Sequence, residues 1–234
     1  MQMNRKILLN EFLTICKRKD YKAAIVFQDK IKDLIPGKPS ARNIRNICGL
    51  DISFDKGSDR VFAAASLHSF PDLNIIEQRG IALRIDFPYI PGLLAFREGP
   101  AIVELLGKVK SSIDLFLFDG QGIAHPRGAG IAGMMGLLLD KPSIGCAKTK
   151  LVGEYEEPGW QKGSSSNLHY YNKIIGSVLR TRANVKPVFV SVGYKIDLKR
   201  SVDIILKCCL KYRITEPIRE AHKLSNNLRA DYKK

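Results

Sequence analysis

Residues 114–130 read DLFLFDGQGIAHPRGAG. Leu115 to Phe118 form an apolar run of the kind that becomes a buried strand, and the run stops on Asp119, with Gly120 and Gly122 close behind. A helically spaced GIAGMMGLLLD follows, then the short strand-like PSIGCA. Strand, turn, helix and strand in that order make a parallel unit whose helix covers one face of a sheet. In open sheets of this kind ligands bind outside the carboxyl ends of the strands, which is where Asp119 stands. The glycines permit a tight turn and close backbone approach by a ligand. An ordinary strand-to-helix turn with Asp as its cap fits the same residues. The turn lacks the GK[ST] ending and the spacing of a phosphate-binding loop, so it does not support a nucleotide cradle.

Upstream, NICGLDISF, RVFAAASLHSF and NIIEQRGIALRIDF read as three strands, with turn signals at Lys56-Gly57-Ser58-Asp59 and Pro71-Asp72. They predict an antiparallel meander. Helical spacing runs from Pro91 to Val109. Downstream, the polar EYEEPGWQKGSSSN predicts a surface loop, KIIGSVLR and PVFVSVGY two strands, and residues from about Leu198 to Tyr212 a helix. Pro217 opens a last helix that carries His222. At the other end, apolar residues between about 5 and 35 recur at three and four, which predicts one helix, or two split near Lys19-Asp20, ending at Pro36-Gly37. GKPSARNIRN follows as a short basic linker. A meander followed by parallel units predicts an α/β fold, a mixed β-sheet flanked by helices on both faces, the architecture of ribonuclease-H-like proteins. The expected organisation is a single domain over 1–234, with the helical segment at about 5–35 and the catalytic core at about 45–230.

The chain has 234 residues, 45% of them hydrophobic, enough for one sizeable core. Lys and Arg number 38 against 23 Asp and Glu, a net charge of +15 that favours a polyanionic partner such as nucleic acid. No stretch approaches the ~18 apolar residues of a membrane span, and the first apolar run is too short for a secretory signal. Cys16, Cys48, Cys146, Cys208 and Cys209 are odd in number, lack CxxC spacing and sit mostly in apolar segments. They read as reduced core residues. A soluble cytoplasmic protein without a membrane partner is the expectation.

Three acids stand where carboxylates are costly. Asp51 interrupts the apolar strand GLDISF, and an ionised carboxylate there costs several kcal/mol unless it is paired or meets a cation. Bonding to backbone amides at a strand end is the competing account. Glu98 lies on the helix after Pro91, where a rotation of ~100° per residue groups it with Leu94, Ala101, Ile102 and Leu105 in one arc of roughly 80°. The carboxylate is thus aimed at the core side, with Arg97 as a purely structural alternative partner. Three acids converging on one sheet end repel unless cations neutralise them, and hard oxygen ligands suit Mg²⁺ or Mn²⁺. With the positive charge, that combination points to metal-assisted phosphodiester hydrolysis. His222, Lys148 and His125 carry no specific signal alone. Lys148 follows a strand and could steady a phosphate, with Lys150 as a surface comparison. His125 could ligate, contact phosphate or bond its turn.

Together GLDISF, PYIPGLLAFREGPA, DGQGIAHPRGAGIAG, PSIGCAKTKLVG, KPVFVSVGYKI and REAHKLSNNLR resemble the endonuclease V family, the deoxyinosine 3′ endonucleases, in order and in similar spacing. The N-terminal helical segment resembles the family more loosely. The resemblance implies that Asp51 and Asp119 bind the metal, that Glu98 is the third catalytic acid, that Lys148 lies near the scissile phosphate, and that His222 stands beside the metal site. It implies that Pro88-Tyr89-Ile90-Pro91 is a wedge entering the duplex at the lesion, and that Leu94, Gly122, His125 and Gly130 belong to a pocket for the flipped base. The implied reaction cuts the second phosphodiester bond 3′ to deoxyinosine in DNA, with Mg²⁺ as cofactor and Mn²⁺ able to substitute, by a monomer. Flipping costs least for a weakly paired base such as hypoxanthine. Inosine in RNA, or a broader range of deaminated bases and mismatches, is the alternative within the same chemistry. A catalytically idle nucleic-acid-binding descendant is the non-enzymatic alternative, and a purely structural protein fits the aim of Glu98 poorly. One departure stands out: where the family commonly has Ser-Pro-Gly-His, this chain has Ser191-Val192-Gly193-Tyr194.

Overall fold

A computed structural model describes residues 4–41, 43–55 and 58–232. The turn expected at Lys56-Gly57 and Arg42 of the basic linker lie outside them. Strand β1 (Asn46–Phe54) is the hinge between the two halves of the predicted architecture. On one side it pairs antiparallel with β2 (Arg60–Ser69), which pairs antiparallel with β3 (Ile75–Arg84). On the other it pairs parallel with β4 (Leu115–Phe118), which pairs parallel with β5 (Ser143–Ala147). Strands β6 (Ser165–Tyr170), β7 (Lys173–Leu179) and β8 (Val188–Tyr194) complete one eight-stranded mixed sheet in the order β3-β2-β1-β4-β5-β8-β7-β6.

Period-two alternation sorts side chains between two cores. Cys48, Leu50, Phe116 and Phe118 face one layer of helices, α1 (Arg5–Arg18), α2 (Tyr21–Ile31), α3 (Leu94–Leu106) and α4 (Ile131–Leu139). Ile47, Leu115 and Leu117 face the other, with α5 (Leu198–Cys208) and α6 (Glu216–Tyr232). Helices on both faces were expected. The N-terminal segment is two helices, because Lys19 turns into the left-handed conformation and Asp20 then caps α2 through the Ala23 N–H. All five cysteines are free and buried. Among the described residues no helix is long and apolar enough to cross a membrane.

Two expectations need correction. The polar segment expected to be loop throughout enters the sheet at Ser165 as β6. This edge strand buries only Leu168 within SSNLHY, so it has little of the apolar alternation by which strands are recognised. The helix expected to reach Tyr212 stops at Cys208, and Lys162 takes the Cys209 carbonyl at 2.8 Å.

Helix α6 lies directly on β1 because Gly49 has no side chain. A Cβ there would stand 2.2 Å from the Pro217 carbonyl carbon and 2.5 Å from the Ile218 nitrogen, backbone atoms that cannot swing aside. Gly49→Ala is therefore expected to destabilise the fold by roughly 2 kcal/mol by overpacking. A lowered midpoint in thermal unfolding checks it, and an unchanged midpoint contradicts the close packing.

Candidate active site

The parallel register brings two acids together. Leu50 of β1 is partnered with Phe118 of β4, so Asp51 and Asp119 come next on adjacent strands, about 4.8 Å apart in the hydrogen-bonding direction. Glu98 joins them from α3. The three carboxylates share a cavity of about 140 Å³ with Leu50, Ile52, Ile102, Phe118 and Ile131. The helical arc that aimed Glu98 inward is thus observed. Arg97 spends its guanidinium on the Phe87 carbonyl at 3.1 Å and on the Phe54 ring.

Each aspartate has a partner on its outer side. Ser225 donates its hydroxyl to Asp51 at 2.6 Å, and His222 Nδ1 lies 3.2 Å from the same oxygen. Asn226 fixes the imidazole. Its Oδ1 accepts from Arg229 at 2.8 Å, leaving its amide nitrogen to donate to His222 Nε2 at 3.0 Å. His222 Nδ1 therefore carries the hydrogen and donates to Asp51. Lys148 pairs closely with Asp119 and keeps its side chain 44% exposed, so the pair adds little to stability. Arg213 stands behind that lysine, donating to the Lys148 carbonyl at 2.6 Å and the Pro187 carbonyl at 2.7 Å. Burial holds its pKa below the ordinary arginine value.

Among the described residues Glu98 forms no such ion pair, and the charge of Arg97 offsets the cost of its ionisation only in part. Burial first, then the charges of Asp51 and Asp119, push its pKa up to about 8. The cavity is therefore short of positive charge on the side where the three acids meet, and this fits a divalent cation. Among the described residues no group of three or more His, Cys, Asp or Glu side chains is arranged to hold a metal ion. A hard cation that retains its own waters needs only one or two carboxylates, as an open site supplies.

A second cavity of about 440 Å³ adjoins the first and shares Asp119 and Ile131 with it. Tyr89, Ile90, Pro91, Leu94, His125 and Gly130 line it. Tyr89 is 68% exposed at this loop, and Pro88 is half-buried beside it. Gly122 is not on this wall. A Cβ there would meet the Val192 carbonyl oxygen at 1.9 Å, and its N–H donates to Ser191 Oγ, so Gly122 seats the turn against β8 behind the cavity. His125 bonds its turn: Nδ1 accepts the Arg127 N–H at 3.2 Å and Nε2 donates to the Gly92 carbonyl at 3.0 Å. Burial and the Arg127 charge lower its pKa to about 4, so the imidazole is neutral at pH 7.

The two unusual residues of β8 act elsewhere. Val192 offers the turn its carbonyl, accepting the Ile123 N–H at 2.8 Å, which any side chain at 192 would allow. Tyr194 is buried beside Gly37 and accepts from Arg5 at 3.3 Å. Sequence reasoning missed Ser225 and Asn226, although they follow His222 at three and four on one helix face. It also missed Gln28 and Arg213, and it took Lys150 for plain surface, whereas Lys150 lines the larger cavity.

Acids side by side where the parallel β1–β4 ladder ends, a lysine and a histidine around them, and a strongly basic chain define a phosphodiester-cleaving hydrolase of the nuclease class. The sequence profile of endonuclease V matches residues 29–223, and the chain belongs to the endonuclease V family. Endonuclease V of Dictyoglomus turgidum is 44% identical over 212 residues, 91% of this chain and 92% of the relative. The crystal structure of Streptomyces avermitilis endonuclease V is 35% identical, with a TM-score of 0.84 over 92% of this chain and 95% of that one. Ciona intestinalis endonuclease V, crystallised with a 24mer DNA containing an inosine followed by a ribo-adenosine, is 26% identical, with a TM-score of 0.78 over 88% and 95% of the two chains. The expected ribonuclease-H-like fold is thus borne out, as is the enzyme class, and nucleases of this family are metal-dependent.

The crowding at Glu98 has a measurable cost without metal. In the folded chain it keeps its proton up to about pH 8, whereas the unfolded carboxyl ionises near 4.5. Stability is therefore lost as pH rises from about 4.5 to 8 and is level above that. Glu98→Gln is expected to raise stability in EDTA at pH 8.5 by on the order of 5 kcal/mol, with little gain at pH 4. Thermal unfolding of both proteins at the two pH values checks it; a gain of equal size at both contradicts the assignment.

Proposed function

We propose that the chain is a Mg²⁺-dependent endonuclease that recognises deoxyinosine in DNA and hydrolyses the second phosphodiester bond 3′ to it, initiating repair. The observation that carries this reading is the junction of the two cavities, where Asp119 and Ile131 belong both to the acidic pocket and to the larger, mostly apolar one. Asp51 and Asp119 would hold the metal, with Mn²⁺ able to substitute, and Glu98 would complete the acidic set. When bound, a divalent cation activates water for attack on phosphorus and stabilises the oxygen that leaves.

The remaining steps belong to side chains. His222 and Ser225 orient Asp51 by donating to it, and Lys148 is placed to give its charge to the scissile phosphate once Asp119 has another partner. Tyr89 stacks where the base has left the helix, and Pro88 and Pro91 stiffen the loop, which limits the entropy lost on binding. Leu94, His125 and Gly130 lie on the wall around the flipped base, which hypoxanthine reaches cheaply because it pairs weakly. The net charge of +15 supports general affinity for the phosphate backbone. Action as a monomer in the cytoplasm belongs to the same reading.

Matched DNA and RNA oligonucleotides carrying one inosine, incubated with Mg²⁺ or with EDTA, test it. The expected product is a nick at the second bond 3′ to inosine in DNA that needs the metal, and Asp119→Ala should slow it at least about 100-fold. No metal-dependent nick in either strand type refutes the reading, and cutting confined to RNA moves the substrate to inosine in RNA. Tyr89→Ala should weaken cutting of inosine duplexes; a variant indistinguishable from the parent removes the wedge.

A further inference from the structure

We propose that Gln28 of α2 is a positioning residue for base recognition: it locks together two backbone segments that both line the larger cavity. The inference rests on that cavity being the base pocket.

Gln28 is the polar exception on a helix face otherwise built from Ala24, Phe27 and Ile31, and it is only 1% exposed. Its amide is fully used. Nε2 donates to the Gly92 carbonyl at 3.0 Å and to the Ala129 carbonyl at 2.9 Å, and it lies 3.7 Å from Met134 Sδ. Oε1 accepts the Arg127 Nε–H at 2.7 Å. Two carbonyls on one amide atom and a guanidinium on the other fix which way the amide points. With both hydrogens committed, Gln28 has none left to read a base, so its influence runs through the groups it holds.

The two carbonyls belong to different parts of the chain. Gly92 ends the loop of Tyr89, and Ala129 ends the Gly-rich turn after Asp119; both residues line the cavity. The Gly92 carbonyl also accepts from His125 Nε2 and Arg127 Nη2, each at 3.0 Å. Three side chains thus converge on one oxygen that has two lone pairs, and its peptide plane has little freedom left. Gly92 has φ +80°, in a turn closed by the Leu93 N–H on the Ile90 carbonyl at 2.9 Å. Fixing this peptide therefore fixes the loop that carries Tyr89 and Ile90 relative to the turn that follows Asp119. Gln28 lies one residue before the segment that matches the family.

The test is equilibrium binding, by fluorescence anisotropy in EDTA, of a duplex with one inosine and of the same duplex with a tetrahydrofuran abasic analogue, which has no base to offer the pocket. Gln28→Met removes every hydrogen bond, and Gln28→Glu keeps the acceptor for Arg127 but loses both donors. Both variants should bind the inosine duplex about 10-fold more weakly, with binding of the abasic duplex changed less than about 2-fold. Single-turnover cleavage with Mg²⁺ should show a raised half-saturating concentration at nearly unchanged maximal rate. Equal weakening on both duplexes, with a lowered melting temperature, would make Gln28 a packing residue and overturn the inference. So would retained preference for inosine in both variants. A parent protein that itself prefers neither duplex would instead overturn the pocket reading.

Discussion

Two carboxylates on neighbouring parallel strands are the constraint around which the rest is arranged. The register that pairs Leu50 with Phe118 leaves Asp51 and Asp119 side by side, and neither strand can slip by one residue without exchanging the side chains packed in the two cores and separating the two acids. The acids are therefore held in place by hydrophobic burial along the whole length of their strands. Electrostatic repulsion at the strand ends is opposed by packing that cannot relax. Glu98 adds a third carboxyl, and the folded chain without metal accommodates it by keeping it protonated.

The neighbours of the acids divide the counter-charge between them. On the α6 side, Asp51 accepts from the Ser225 hydroxyl and from His222 Nδ1, and their reach depends on Gly49 letting that helix lie against β1. On the β5 side, Asp119 meets a full charge on Lys148, whose backbone is in turn held by Arg213. Lys148 is solvent-facing, whereas Ser225 is buried. This asymmetry suits a site in which one ligand is pre-set and the other exchanges partners when metal and phosphate arrive.

Much of this was legible in the sequence because it follows from period and spacing. The meander, the parallel pair and the helices on both faces come from alternating or helical apolar runs, and the inward aim of Glu98 came from counting 100° per residue. Edge strand β6 was hidden because exposure on both sides leaves no alternation to see. Gly122 was misplaced for a different reason. Glycine marks a close backbone approach, but the approaching group turned out to be the Val192 carbonyl of the same chain. Arg213 and Gln28 act through carbonyls far away in sequence, and no local pattern reports such bonds. In Gln28 a trace was present all the same, as a polar residue on an apolar helical stripe.

The two cavities meet at one rigid corner, and that bears on how a nuclease can cut away from what it recognises. Asp119 follows β4 directly, and Ile131 begins α4; between them the turn is pinned by Gly130 donating to Gly122, by Ala132 donating to Gln121 and by Gly122 donating to Ser191. These bonds tie the wall of the larger cavity to the end of β4 beside Asp119. A base held in the larger cavity would then place the phosphates that follow it at set distances from Asp119, and selection of one bond along the strand needs no reading of its sequence. On the proposed function, the position of the cut relative to the lesion is a length fixed by this corner. On that reading, the same stretch that ends a core strand on an acid would set both what is recognised and where the strand is cut.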